Sequence, residues 1–191
     1  MPVTGNTIYK NYCAQQHENF YSTFRVFLER IRPERILEIG TGHGGLIVAL
    51  HDILKEIKQP CSIRTYDINE YPWYKDIRNL GVDIRGVSFS EEIDNIQSLI
   101  QSSGITLVLC DGGDKINEFQ LLSNMIKLGD YIMCHDYSKT WEYFKSNMEN
   151  VVWNWCEIED RHIQGSIDSN NLIKIMEDDF QAIAWGCFQK Q

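Results

Sequence analysis

The run Arg35-Ile36-Leu37-Glu38-Ile39-Gly40-Thr41-Gly42-His43-Gly44-Gly45 decides how this chain is read. A short, mostly apolar segment fits a strand buried in a sheet. It breaks at once into glycines, which lack a Cβ and so let a backbone turn tightly and approach a neighbour or ligand closely. Apolar residues then recur at helical spacing over 46–57. The order is strand, glycine turn, helix.

Working outward, the same alternation continues on both sides. Before the run, Phe20, Phe24, Phe27, Leu28 and Ile31 line one face of an expected helix over 17–31, with Pro33 just past its end. After it, strands are expected at 61–66, 82–87, 105–110 and 131–134. Helices are expected at 71–80, 91–102, 116–128 and 140–148. The segments 151–158 and 182–188 are two further strand candidates, with a short helix and polar loop over 159–170 between them. Strands alternating with helices predict a doubly wound α/β fold. Its sheet is expected to be seven-stranded and mostly parallel, with an antiparallel C-terminal strand. Residues 17–191 read as a single Rossmann-like domain and residues 1–16 as an N-terminal extension.

Composition narrows the function. A net charge of −9 over 191 residues, without a basic run, argues against a nucleic-acid partner. No stretch is long and apolar enough for a membrane span, and the start lacks a signal-peptide core, so a cytoplasmic location is expected. The six cysteines contain no CxxC pair and read as buried free thiols. The aromatic-rich segment 9–27 suits a lid or a contact in a homo-oligomer.

Ligands in open α/β sheets bind beyond the carboxyl ends of the strands. Here those ends carry Glu38 with the glycines, then Asp67, then Asp111-Gly112-Gly113, then His135-Asp136. Each acid alone could merely cap the following turn, but four on one rim are not needed for packing. Gly40, Gly42 and Gly45 satisfy GxGxxG, and Asp67 lies about 20 residues further on, where dinucleotide-binding proteins place the ribose-binding acid. The loop therefore suits NAD or S-adenosylmethionine (SAM). Three features favour SAM: Glu38 ahead of the loop, no room for a separate substrate domain, and the C-terminal strand pair.

The 36–45 run resembles motif I of class I SAM-dependent methyltransferases. The runs Leu109-Cys110-Asp111-Gly112-Gly113 and Leu128-Gly129-Asp130-Tyr131-Ile132-Met133-Cys134-His135-Asp136-Tyr137 resemble a narrower branch, the macrocin and cephalosporin-biosynthesis O-methyltransferases, with catechol-type enzymes as distant relatives. The resemblance implies methyl transfer from SAM to a hydroxyl of a small molecule, such as a sugar or another natural-product-like acceptor. It implies SAM binding by Glu38, Gly40, Thr41, Gly42, Asp67 and Asp111, with Ser88 on the adenine side. It implies a divalent cation, Mg or Mn, held by Asp111, His135 and Asp136. The chain departs from the branch at His135, where an acid or Asn is usual. Histidine shifts preference toward Mn, Fe or Zn, or serves as a general base.

Lys115 lies where catechol-type relatives carry a proton-accepting lysine, but the spacing from Asp111 is one residue longer, so a solvated loop lysine is the plainer reading. Together His135, Asp136 and Lys115 form the expected catalytic set. His43 reads as an exposed loop residue. Tyr137, Trp141 and Tyr143 suit a substrate wall, Trp153, Trp155 and Trp185 suit core strands, and Glu177-Asp178-Asp179 suits a solvated loop. Two other functions fit the glycine loop: an NAD-dependent oxidoreductase, and a non-catalytic nucleotide-binding or scaffold module.

Overall fold

A computed structural model describes residues 7–191; residues 1–6 of the expected N-terminal extension lie outside the described residues. The chain begins with a hairpin, β1 (Ile8–Tyr9) and β2 (Tyr12–Cys13), followed by helix α1 (Phe20–Ile31). The α/β alternation then runs β3 (Arg35–Ile39), α2 (Gly45–Glu56), β4 (Ser62–Tyr66), α3 (Tyr74–Arg78) and β5 (Asp83–Arg85). A 3-10 turn (Phe89–Glu92) leads into α4 (Ile93–Gln101), β6 (Thr106–Cys110), α5 (Lys115–Leu122) and β7 (Tyr131–His135). The remainder holds β8 (Tyr137–Ser138), α6 (Trp141–Tyr143), β9 (Ile158–Glu159), α7 (Asp160–Ser169), β10 (Leu172–Lys174), α8 (Glu177–Gln181) and β11 (Trp185–Lys190).

The main sheet has seven strands in the order β10-β11-β7-β6-β3-β4-β5. Only β11 runs against its neighbours: it pairs antiparallel with β7 and with β10, while β3, β4, β5, β6 and β7 pair in parallel. This is the expected doubly wound sheet with an antiparallel C-terminal strand. One cluster of apolar side chains on each face, under the helices, forms its core. Phe20, Phe24, Phe27, Leu28 and Ile31 face inward as their spacing requires, and β6 and β7 are buried throughout.

The seventh strand is not where the sequence pattern puts it. Residues 151–158 do not join the main sheet. Only Ile158 and Glu159 pair, with Tyr137 and Ser138, and Trp153 makes an isolated bridge to Glu149. A π-helical turn over Phe144–Met148 and the left-handed Asn150 redirect the chain, and the Trp153 indole turns back to bond Asp136. The missing strand is β10, too short and too mixed in polarity to show a period. Glu177-Asp178-Asp179 is not a loop but the first turn of α8, where acids suit the helix dipole. Helix α5 ends at Leu122, sooner than expected. All six cysteines are free, and Cys110, Cys134 and Cys187 are buried. Among the described residues no helix is long and apolar enough to cross a membrane.

Register fixes the rim. Ile39 lies opposite Tyr66 on one side and Cys110 on the other, and Cys110 lies opposite Cys134. The residues that follow these positions therefore emerge together. The chain winds outward from β3 through β4 to β5, then returns to β6, so β3 and β6 flank the point where strand order reverses.

Candidate active site

A cleft of about 700 Å³ opens along that rim, lined by the glycine loop, Asp67, Ser88, Asp111, Lys115, His135, Asp136 and, at and just after the end of the hairpin, Cys13, Ala14 and Gln15. Its size falls in the usual range for a small-molecule site.

The glycine loop is clamped on both sides. Gly42 N donates to Asp67 Oδ2 at 2.8 Å, and Tyr74 OH donates to Gly42 O at 2.8 Å. Asp67 Oδ1 accepts from Asn69 N at 2.8 Å, so the carboxylate shapes its own loop as well. Gly40 has φ +95°, and a Cβ there would meet the backbone of Asp111 and Gly112. Glu38 is buried beneath the loop and accepts from Thr65 Oγ1. Since that proton is committed to Glu38, Thr41 Oγ1 is the donor in its 2.6 Å bond to Thr65. Burial, helped by Asp111 and Asp67 and opposed by the Thr65 bond, pushes the Glu38 carboxyl up to about 8. Ser88 lines the far end and caps the 3-10 turn with Glu91. His43 is exposed, with its ring stacked on Tyr71 and Trp73 at 5.6 Å each.

At the other end the expected triad converges. His135 Nδ1 lies 2.9 Å from Asp111 Oδ1 and 3.7 Å from Asp136 Oδ1. Asp136 has φ +54°, a left-handed conformation that asparagine and aspartate tolerate better than other non-glycine residues. Trp153 Nε1 donates to Asp136 Oδ1, and the Trp153 and Trp185 rings hold the His135 imidazole at centroid distances of 5.0 and 4.9 Å.

Lys115 is not solvated. It is 7% exposed, and Nζ lies 3.0 Å from Asp136 Oδ2, 2.8 Å from Glu157 Oε2 and 2.9 Å from Gly112 O. The extra residue after Asp111 is absorbed by the Gly112-Gly113 turn before α5, which swings the side chain into the cleft. Burial alone would lower the Lys115 pKa, but Asp111, Asp136 and Glu157 outweigh it and raise it. Burial likewise opposes charge on His135, yet Asp111 and Asp136 raise its pKa. Asp136 is held low: burial works against this, and His135, Lys115 and Trp153 prevail.

Four residues that sequence reasoning missed as site members stand here. Glu118, buried on α5, accepts from Gly112 N and Asp114 N and fixes the Asp-Gly-Gly turn, and burial pushes its carboxyl up to about 7. Its place one helical turn after Lys115 was a usable signal. Glu157 pairs with Lys115, Trp153 bonds Asp136, and Gln16 bonds Asp111, but all three are remote in sequence and carried no local signal. Trp153 and Trp155 line the cleft rather than a core strand, and Trp155 is half exposed. Of the expected aromatic wall, Tyr137 is buried and bonded to Asp160, and neither Trp141 nor Tyr143 lines the cleft.

The geometry fits the implied groups. The cleft that runs from the glycine loop past Asp67 to Ser88 has room for a nucleoside ligand. One atom each from Asp111, His135 and Asp136 lie within 4.8 Å of one another, a spacing that suits a cation. Each carboxylate oxygen keeps a second lone pair after the bonds above. The O,O,N donor set favours Mn, Fe or Zn over Mg or Ca.

An open parallel sheet with a single reversed strand, a glycine loop after its central strand and acids on the neighbouring strand ends together define the class I SAM-dependent methyltransferases. A family model described as rhamnosyl O-methyltransferase/CmcI matches residues 11–154. The chain belongs to this O-methyltransferase family. Among solved structures, CmcI in complex with Mg and SAM superposes with a TM-score of 0.67 at 13% identity, covering 97% of this chain and 76% of that one. Apo CmcI gives 0.68 at 13%, covering 96% and 76%. A putative caffeoyl-CoA O-methyltransferase from Staphylococcus aureus gives 0.58 at 15%, covering 90% and 82%. A search of curated proteins finds no significant match.

Proposed function

We propose that this protein transfers the methyl group of SAM to a hydroxyl of a small, polyhydroxylated acceptor of the sugar type, assisted by a divalent cation. The observation that carries the reading is the convergence of Asp111, His135, Asp136 and Lys115 at one end of a cleft whose other side is the glycine loop. When bound, SAM supplies an electrophilic methyl that passes to the acceptor oxygen by in-line displacement and leaves S-adenosylhomocysteine (SAH).

In this reading the backbone of Gly40, Thr41 and Gly42 cradles the cofactor. Asp67 accepts from the ribose hydroxyls with its remaining lone pairs, and Ser88 borders the adenine. Asp111, His135 and Asp136 would hold the cation, which would supply a Lewis acid that makes an acceptor hydroxyl easier to deprotonate. Asp136 stays ionised and accepts from the acceptor hydroxyl. Lys115 keeps its proton, because three carboxylates surround it, and its ammonium stabilises negative charge on the acceptor oxygen once the hydroxyl has released its proton to water at the open side of the cleft. The half-exposed Trp155 ring, backed edge-on by Trp153 at 5.4 Å, supports a sugar acceptor by offering an apolar face beside carboxylates.

The test is a labelled-methyl transfer assay against a panel of hydroxylated sugars and phenols. Turnover on a sugar, lost on Asp136→Ala and on chelation and restored by Mn or Mg, supports the reading. Turnover unchanged by full chelation rejects the cation, and turnover only on phenols rejects the sugar.

A further inference from the structure

Four side chains from four distant parts of the chain close into a ring of contacts that takes in two members of the triad, Asp111 and His135. Trp185 Nε1 on β11 donates to Gln16 Oε1 at 2.7 Å. Gln16 Nε2 donates to Asp111 Oδ2 at 3.0 Å. Asp111 Oδ1 meets His135 Nδ1 at 2.9 Å, and the His135 ring lies against the Trp185 ring at 4.9 Å. The amide orientation is dictated by its partners. An indole N–H can only donate and a carboxylate can only accept, so the oxygen of Gln16 must face Trp185 and its NH₂ must face Asp111. Gln16 itself is 1% exposed.

The segment that carries Gln16 is fastened in place. Thr7 Oγ1 donates to Gln16 O at 2.6 Å, and Ala14 N donates to Thr7 O at 2.7 Å. Tyr9 OH and Lys10 Nζ both bind Asp52 of α2, at 2.9 and 2.6 Å. The backbone at Cys13 and Ala14 lies where a Cβ on Gly45 would sit. Residues 7–16 thus form a strap pinned across the start of α2, with Cys13, Ala14 and Gln15 on the cleft wall and Gln16 behind it.

We infer that Gln16 is a positioning residue for the cofactor site: it locks Asp111, and through Asp111 the His135 ring, so that the acid presents a fixed carboxylate to the cationic amino-acid end of the cofactor. This rests on the SAM reading above. A short amide, rather than a charge, suits the place. It satisfies both Trp185 and Asp111 without adding to the acids already facing the cleft.

The experiment compares binding of SAH and of methylthioadenosine, which lacks the amino-acid end, by calorimetry for the wild-type chain, Gln16→Glu and Gln16→Leu in chelator-containing buffer at pH 8, alongside thermal unfolding. Gln16→Glu keeps an acceptor for Trp185 but sets a carboxylate against Asp111. The SAH affinity of both variants is expected to fall about tenfold relative to wild type, the scale of one hydrogen bond to a charged group, while their methylthioadenosine affinity stays that of wild type. Equal SAH affinity in all three proteins, or an equal loss for SAH and methylthioadenosine, overturns the positioning role. Failure of the wild-type chain itself to bind SAH overturns the SAM reading on which it rests.

Discussion

Replacing Gly40 with alanine probes the joint on which the site is built. The glycine has φ +95°, and a Cβ would lie 2.2 Å from Asp111 O, 2.6 Å from Asp111 C and 2.7 Å from Gly112 Cα. These are backbone atoms, and Asp111 N is tied to Ile39 O at 2.9 Å, so neither side gives way easily. A left-handed conformation in a non-glycine residue costs roughly 1–2 kcal/mol, and overpacking adds about 1–3 kcal/mol. The sum is about 2–5 kcal/mol, a fall in Tm of roughly 5–15 °C for a domain of this size. Gly165→Ala is the control: its Cβ meets nothing within 4 Å, and it sits in α7, away from the cleft. Differential scanning calorimetry on both variants, with SAH titration of each, makes the comparison. Gly40→Ala should lose stability and most SAH binding, while Gly165→Ala should be neutral or slightly stabilised. A Gly40→Ala protein as stable as Gly165→Ala and binding SAH normally would refute the close packing of the glycine loop against the Asp111 turn.

Other consequences follow from individual contacts. Gly45→Ala, with a Cβ at 2.6 Å from Ala14 backbone, should push the strap outward and weaken SAH binding severalfold with a smaller loss of Tm, because no positive φ is involved. Asp67→Ala removes the clamp on Gly42 and the candidate ribose acceptor together, and SAH affinity measured by calorimetry should drop at least about tenfold, with Asp67→Asn in between. Burial raises the Glu38 carboxyl to about 8, so between the ordinary glutamate value and pH 8 the folded state binds the extra proton. Stability should therefore decline as pH rises through that window, and the slope of denaturation free energy against pH should flatten in Glu38→Gln. Mn(II) bound to the wild-type chain should be visible as loss of the free-ion EPR signal. Asp111→Ala should restore that signal, and His135→Asp should shift relative affinity toward Mg.

Much of this was legible in the sequence, and the reasons are local. The β3 run and the mostly apolar β6 and β7 are buried on both faces, so their composition alone marks them. Glycines at positive φ and acids at strand ends mark the rim. What escaped notice depends on distance or on packing geometry. Strand β10 is three residues of mixed burial and has no period to read. Residues 151–158 are rich in tryptophan and look like a strand, but those rings belong to a loop folded over His135 and Asp136. Lys115 looked solvated because its spacing from Asp111 ignores how a Gly-Gly turn re-aims the start of a helix. Gln16 reaches Trp185 across 169 positions, and no pattern in a single sequence announces such a contact.

Calorimetric titration of this chain with SAH and, separately, with NAD asks whether the glycine loop and its acids hold SAM. SAH should bind saturably, one to one, and more weakly to Asp67→Ala, and NAD should not bind. Tight NAD binding with no response to SAH would rule SAM out as the ligand of the loop.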